Sequence, residues 1–212
     1  MSQVLLALVV FVLGWFALGS AANVKRGNRA LGWLQGGLKA LGDKATVRWL
    51  GTTAVDLGLA QAKPPFESAS LVVFLAPRDL PWLWAASRVR GRRDTLIVRT
   101  RLQKPPVADV ELLDRASWSG RDALRRMKDE RWSVREPVEP GGLAAFYRFD
   151  EALGRADALW NEARGAGATV RRLSVRRNEP HLEIHVDLPA APVDAAGFFR
   201  TVRSLGELAS RR

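Results

Sequence analysis

Residues 170–188 read VRRLSVRRNEPHLEIHVDL, and their apolar side chains recur at every second position, as Leu173 and Val175 before the centre and Leu182, Ile184, Val186 and Leu188 after it. A period of two places alternate residues on opposite faces of a strand, and Asn178-Glu179-Pro180 supplies turn chemistry between the two runs. The stretch is therefore read as a β-hairpin, 170–175 paired with 182–188. Working outward, Asp150 caps a helix through Ala163 that Gly165-Ala166-Gly167 stops, and beyond Pro189 and Pro192 residues 193–209 carry Phe198, Phe199, Val202, Leu205 and Leu208 on one side of a closing helix.

Further upstream, residues 132–135 and 143–149 are strand candidates around a turn at 137–142, and 107–113 is another. Between them lies a helix over 119–130, with Ser119 as N-cap and Asp122 three residues on. Residues 70–76 (SLVVFLA) and 95–102 (TLIVRTRL) are short apolar runs of the kind buried strands show, with a short helix over 80–89 between them. Over 45–60, Thr53, Val55, Leu57 and Leu59 alternate with smaller or polar residues and Val47 and Trp49 extend the pattern backward. That segment is a long strand or a hairpin, ended by Lys63-Pro64-Pro65. No internal repeat is evident. The expected architecture is one α+β domain over 43–212, a largely antiparallel sheet covered by helices on one face.

Residues 1–24 are of another kind. They hold no charged side chain, and residues 4–22 (VLLALVVFVLGWFALGSAA) are an apolar run of about 19 residues, roughly 28 Å as a helix and close to the hydrocarbon thickness of a bilayer. No Lys or Arg precedes the run, whereas Lys25, Arg26 and Arg29 follow it, so the expected topology is a single span with the N-terminus outside and the rest in the cytoplasm, at the inner (plasma) membrane. The competing reading is a signal peptide cleaved after Ser20-Ala21-Ala22. Signal peptides carry a basic n-region and a shorter apolar region, and here the basic cluster lies on the other side. Over 25–42, Leu31, Leu34, Leu38 and Leu41 fall at helical spacing. They form a juxtamembrane amphipathic helix with Trp33 at the interface and Lys25, Arg26 and Arg29 toward anionic lipid, or the same stripe packs on the following domain or continues the anchor.

The chain carries a formal net charge of +11, all of it after residue 24, with 27 Arg against 6 Lys and no Cys. Such a field favours anionic headgroups, RNA or acidic protein surfaces, and the lack of Cys excludes disulfides, thiol catalysis and Cys-ligated zinc. The sharpest basic segment is Arg88, Arg90, Arg92 and Arg93, continued by Arg99, Arg101 and Lys104, seven cations against the single acid Asp94 in 17 residues, with Trp82 and Trp84 just upstream. It is a candidate contact for anionic lipid, RNA or an acidic partner, or else a solvated strand edge blunted by arginine. Arg171-Arg172 with Arg176-Arg177 forms a second cluster on the late hairpin.

The string His181-Leu182-Glu183-Ile184-His185 invites a metal, but on a strand the two histidines stand about 13 to 14 Å apart, too far to share an ion. With Leu182, Ile184 and Val186 facing the core, the histidines read as structural or solvent-facing. No Gly-x-Ser-x-Gly, P-loop or Gly-x-Gly-x-x-Gly is present, and the glycines at 165–167 follow a helix instead of opening one. No catalytic, cofactor or metal site is marked out.

A single N-out anchor, the strand entry GRRDTLIVRTRL, the helix GRDALRRMKDE and the final hairpin and helix RRLSVRRNEPHLEIHVDLPAAPVDAAGFFRTVRSL together resemble the membrane-anchored cytosolic domain of the calumin family, the coiled-coil-domain subunits of the PAT complex that chaperones multipass membrane proteins. The resemblance implies a membrane-tethered, non-enzymatic interaction domain beside a translocon or insertase, with Arg88 to Lys104 as a candidate contact surface, and the ribosome is a further expected partner of the basic surface. The other function classes are a membrane-surface enzyme or ligand-binding domain and a tethered nucleic-acid binder.

Overall fold

The structure, a computed structural model, describes residues 2–128, 131–137, 139, 141–190 and 193–211. A helix α1 (Ser2–Gln35) leads through a short 3-10 turn (Leu38–Ala40) into strands β1 (Gly42–Trp49), β2 (Ala54–Ala62) and β3 (Phe66–Phe74). There follow helix α2 (Pro81–Val89), β4 (Thr95–Leu102), β5 (Val110–Leu113), α3 (Trp118–Met127), β6 (Ser133–Arg135), β7 (Ala144–Tyr147), α4 (Glu151–Ala163), β8 (Val170–Val175), β9 (Leu182–Asp187) and α5 (Ala195–Ser210). The strands make one nine-stranded sheet in the order β1-β2-β3-β4-β9-β8-β5-β7-β6, and each neighbouring pair is antiparallel. The α+β class and the antiparallel sheet agree with the alternation in the sequence.

The segment over 45–60 is a hairpin, with Gly51 at φ +72° in a turn that an L side chain would strain. The hairpin expected over 170–188 is present, with Leu173 opposite Ile184 and Val175 opposite Leu182.

One face of the sheet carries the main core. Val55, Leu57, Leu71, Val73, Leu96, Val98, Leu173, Val175, Leu182 and Ile184 meet Phe198, Phe199, Val202 and Leu205 of α5 and Ala156 and Leu159 of α4. The helical spacing 198, 202, 205 and 209 gives α5 one apolar face, and α4 has its own at 152, 156, 159 and 163. The helices are not confined to that face, however. Leu113 of β5 and Ala144 and Phe146 of β7 turn to the opposite side and bury against Ala123 and Met127 of α3. The reason lies in those strands, VELL and AAFY, which are buried at every position instead of alternating.

Two other expectations are corrected. The N-cap of α3 is Ser117, whose Oγ accepts the Gly120 N–H at 3.0 Å, while Ser119 lies inside the helix. The end expected at Glu130, parts of the turn at 137–142 and Pro192 lie outside the described residues. The segments 1–24 and 25–42 are also not separate elements: α1 runs unbroken from Ser2 to Gln35, and its Ala30 and Leu34, with Leu38 and Leu41 after it, enter the main core. The leucine stripe packs on the domain and the same helix continues the apolar run.

Candidate functional site

The seven basic residues of the segment 88–104 do not share a surface. β4 carries the chain about 24 Å from Thr95 to Leu102 and separates them. Arg88, Arg90, Arg92 and Arg93 lie at the end of the sheet that meets α1. Arg99 projects onto the second face, where its Nε donates to Glu183 Oε2 at 2.8 Å, and Arg101 pairs with Glu67 and Glu179 at 2.9 and 3.0 Å. Lys104 is at the far end beside Pro65.

At the α1 end the organising residue is Asp94, buried where β4 begins. Its carboxylate accepts the Ala76 N–H at 2.8 Å and two bonds from the Arg78 guanidinium at 3.0 and 2.8 Å, and it pairs with Arg26 of α1. Burial pushes the Asp94 carboxyl up, but the Arg78 and Ala76 hydrogen bonds and the charges of Arg78 and Arg26 outweigh it and hold the group below its ordinary value. Arg78 also donates to Asn23 Oδ1 at 3.2 Å, so this knot ties the helix to the sheet.

Beside the knot is a cavity of about 300 Å³ lined by Arg26, Arg78, Arg88, Arg92 and Arg93 against Asp94 and Asp187. Arg26 and Arg78 are already committed to Asp94. Arg93 reaches Asp187 only at 3.9 Å, Arg92 lies over the Trp118 ring at 5.2 Å, and Arg88 has no ion pair among the described residues. Five guanidinium groups against two carboxylates leave a positive hollow suited to phosphate or carboxylate groups.

The residues expected at the membrane surface divide. Lys25, Arg26 and Arg29 are exposed on α1. Trp33 instead donates its indole N–H to the Val193 carbonyl at 2.8 Å and packs on Phe198 at 5.4 Å between ring centroids, so it belongs to the seam with α5. Trp84 is likewise occupied, its ring 6.3 Å from that of Trp15. Trp82 is exposed.

Three arginines of the second cluster, Arg171, Arg172 and Arg176, are paired with carboxylates, while Arg177 is exposed. Arg171 bridges Asp114 and Asp187, each at 2.7 Å, and Arg172 is buried between Glu111, at 3.0 Å through two nitrogens, and Glu183, at 2.9 Å. Glu111 is fully buried and also accepts from Ser174 Oγ at 2.6 Å and Arg176 Nε at 2.8 Å. Arg177 lies over Phe149 at 5.8 Å.

Both histidines are buried and hydrogen-bonded, neither facing solvent. His181 Nδ1 accepts the Leu102 N–H at 3.0 Å, and His185 Nε2 meets Glu183 Oε1 at 2.7 Å. Burial raises the Glu183 carboxyl, but hydrogen bonds from His185 and Arg99 and the charge of Arg172 bring it down to about 2. Burial, aided by the smaller effect of the Arg172 and Arg99 charges, outweighs the hydrogen bond and charge of Glu183 and keeps the His185 pKa below its ordinary value. The geometry agrees. A neutral His185 donates from Nε2 to Glu183, and protonation would place an N–H on the buried Nδ1, which has no partner among the described residues.

The sequence does signal this network, because Arg172, Ser174, Glu183 and His185 occupy the positions between the core residues of the hairpin. What pairs them is Glu111 on β5, placed beside β8 only by the tertiary fold. No family model matches this chain, and no curated protein matches it in sequence.

Proposed function

We propose that this chain is a single-pass membrane protein whose basic α+β domain is a non-enzymatic interaction module held against the cytoplasmic face of the inner (plasma) membrane, with the arginine hollow toward anionic headgroups. The observation that carries the reading is the placement of that hollow along α1. Arg26 lies only four residues, about 6 Å of helix, beyond the apolar run that ends at Ala22, and Arg78, Arg88, Arg92 and Arg93 cluster with it at the same end of the sheet. In a spanning helix that is headgroup level, where each arginine adds to attraction for an anionic leaflet.

The continuity of α1 supports retention of the apolar run over cleavage. Cleavage after Ala22 would strip the domain of Trp15 and Gly19, which pack on Trp84 and the Arg78 backbone. On the order of its elements, a translocon or insertase component is the class of protein partner to seek, with ribosome contact as a further arm of the same search.

The reading is tested by native mass spectrometry of the full chain released from detergent micelles containing phosphatidylglycerol or phosphatidylcholine. Retained phosphatidylglycerol that falls when Arg88, Arg90, Arg92 and Arg93 are all replaced by Gln supports it. Equal retention of both lipids, or no change in the quadruple variant, would show the arginines to be a solvated edge.

A further inference from the structure

The apolar run of α1 is not free along its whole length. The Trp15 indole N–H donates to the Arg78 carbonyl at 2.9 Å, its ring stacks at a tilt on Trp84 of α2, and Gly19 lies so close to the backbone of Arg78 and Asp79 that a Cβ there would collide with it. Only residues 3–14 project clear of the domain, about 18 Å of helix, well short of the roughly 30 Å hydrocarbon layer. A spanning α1 must therefore take its docked turns into the membrane, and α2 with them. Trp15 lies about 10 Å up the helix from Ala22, and Trp84 is beside it.

We infer that α2 is a second membrane element, an interfacial helix whose first turn and a half is immersed in the cytoplasmic leaflet alongside α1. The inference rests on the proposed span and adds a depth and a surface to it. Pro81 opens α2, and Trp82, Leu83 and Val89 expose 56%, 46% and 90% of their area although all are apolar. Trp82, Ala85 and Val89 fall at i, i+3 and i+7, one stripe on the helix. On α1, Phe11, Leu18 and Val24 are also uncovered. Trp is suited to such a position by its apolar body and single N–H donor. At the other end of α2, Arg88 enters the positive hollow, so the helix passes from apolar to cationic along its length as the leaflet passes from chain to headgroup.

Polar groups at this depth are satisfied within the protein only in part, since Asp79 Oδ1, Ser20 Oγ and Asn23 Nδ2 are buried with no hydrogen-bond partner among the described residues. Arg78 is neutralised by Asp94, and Asp79 Oδ2 accepts the Thr52 hydroxyl at 2.7 Å.

Because the chain has no cysteine, single cysteines report depth without a background. The full chain is reconstituted into phosphatidylcholine–phosphatidylglycerol vesicles with an environment-sensitive fluorophore at Leu13→Cys, Leu83→Cys, Ala85→Cys or Glu207→Cys. Quenching is compared between lipids carrying a nitroxide near the glycerol end of the chain, lipids carrying it at mid-chain, and aqueous iodide. Circular dichroism confirms that each variant folds, and the two α2 positions check one another.

The expected pattern is strong mid-chain quenching at Leu13, loss of most emission to the glycerol-end nitroxide at Leu83 and Ala85, and iodide quenching alone at Glu207. Nitroxide quenching at Leu13 with both α2 probes behaving like Glu207 would overturn the immersion of α2 and leave the span standing. Iodide access at Leu13 would remove the span itself. If the α2 probes are shielded from iodide and nitroxides alike, a protein surface covers α2 and the lipid assignment falls.

Discussion

Trp15 of the apolar helix and Trp84 of α2 stand with ring centroids 6.3 Å apart, 69 residues distant in sequence, and the Trp15 indole N–H is bound to the carbonyl of Arg78 between them. Through this contact the apolar helix becomes part of the domain instead of a tether attached by a flexible linker. Trp15→Ala should remove one ring of the pair and a hydrogen bond and lower stability in detergent by about 2 kcal/mol, less than a fully buried tryptophan would cost. Gly19→Leu should cost more, because the added side chain meets backbone and not a movable side chain. Thermal melts of the solubilised chain check both, and unchanged melting temperatures would show that the helix is loosely attached.

Glu111 is a carboxylate that Arg172, Ser174 and Arg176 share, and it has no exposed surface. Glu111→Gln should destabilise the fold by roughly 3–5 kcal/mol, since it takes from the buried guanidinium of Arg172 the charge of the carboxylate it holds through two nitrogens. Ser174→Ala removes a single hydrogen bond and should cost about 1 kcal/mol. Chemical denaturation of the two variants should give that order, and its reversal would contradict the network as described.

Stability should fall in acid in two stages. The native Glu183 carboxyl stays ionised down to about 2 against an ordinary value of 4.5, so below 4.5 the unfolded chain takes up a proton that the native state refuses. His185 is held below its ordinary 6.5, so the unfolded chain also gains a proton there first. Both contributions are present above the unfolded values and are lost as pH falls, His185 beginning near 6.5 and Glu183 between 4.5 and about 2. His185→Gln keeps a donor to Glu183 but removes the imidazole charge, so it should erase the upper stage and shrink the lower one. Melting curves from pH 8 to 3 test this, and an identical onset in both proteins would count against a neutral native His185.

Much of the fold is legible in the sequence because most strands are two-faced. The hairpin 170–188, the helix begun near Asp150 and the closing helix show their faces in the spacing of Leu173, Ile184, Phe198 and Val202. Where an element is buried on both faces, as in β5 and β7, spacing cannot say which helix covers which face, and the position of α3 follows only from the assembled sheet. The candidate site is legible in part. Arg88 to Arg93 stand out by charge, but that Arg99, Arg101 and Lys104 leave them, and that Arg78, Asp94 and Arg26 come to them, depends on strand direction and on contacts across 16 and more residues. The immersion of α2 has no local signature, since a nine-residue segment with two tryptophans reads as well for a soluble helix.

The most direct test of the account is the intact mass of the protein recovered from the membrane pellet after an alkaline carbonate wash. The account predicts that the chain stays in the pellet and that its mass includes residues 2–22. A protein released into the supernatant with Asn23 as its first residue would contradict it.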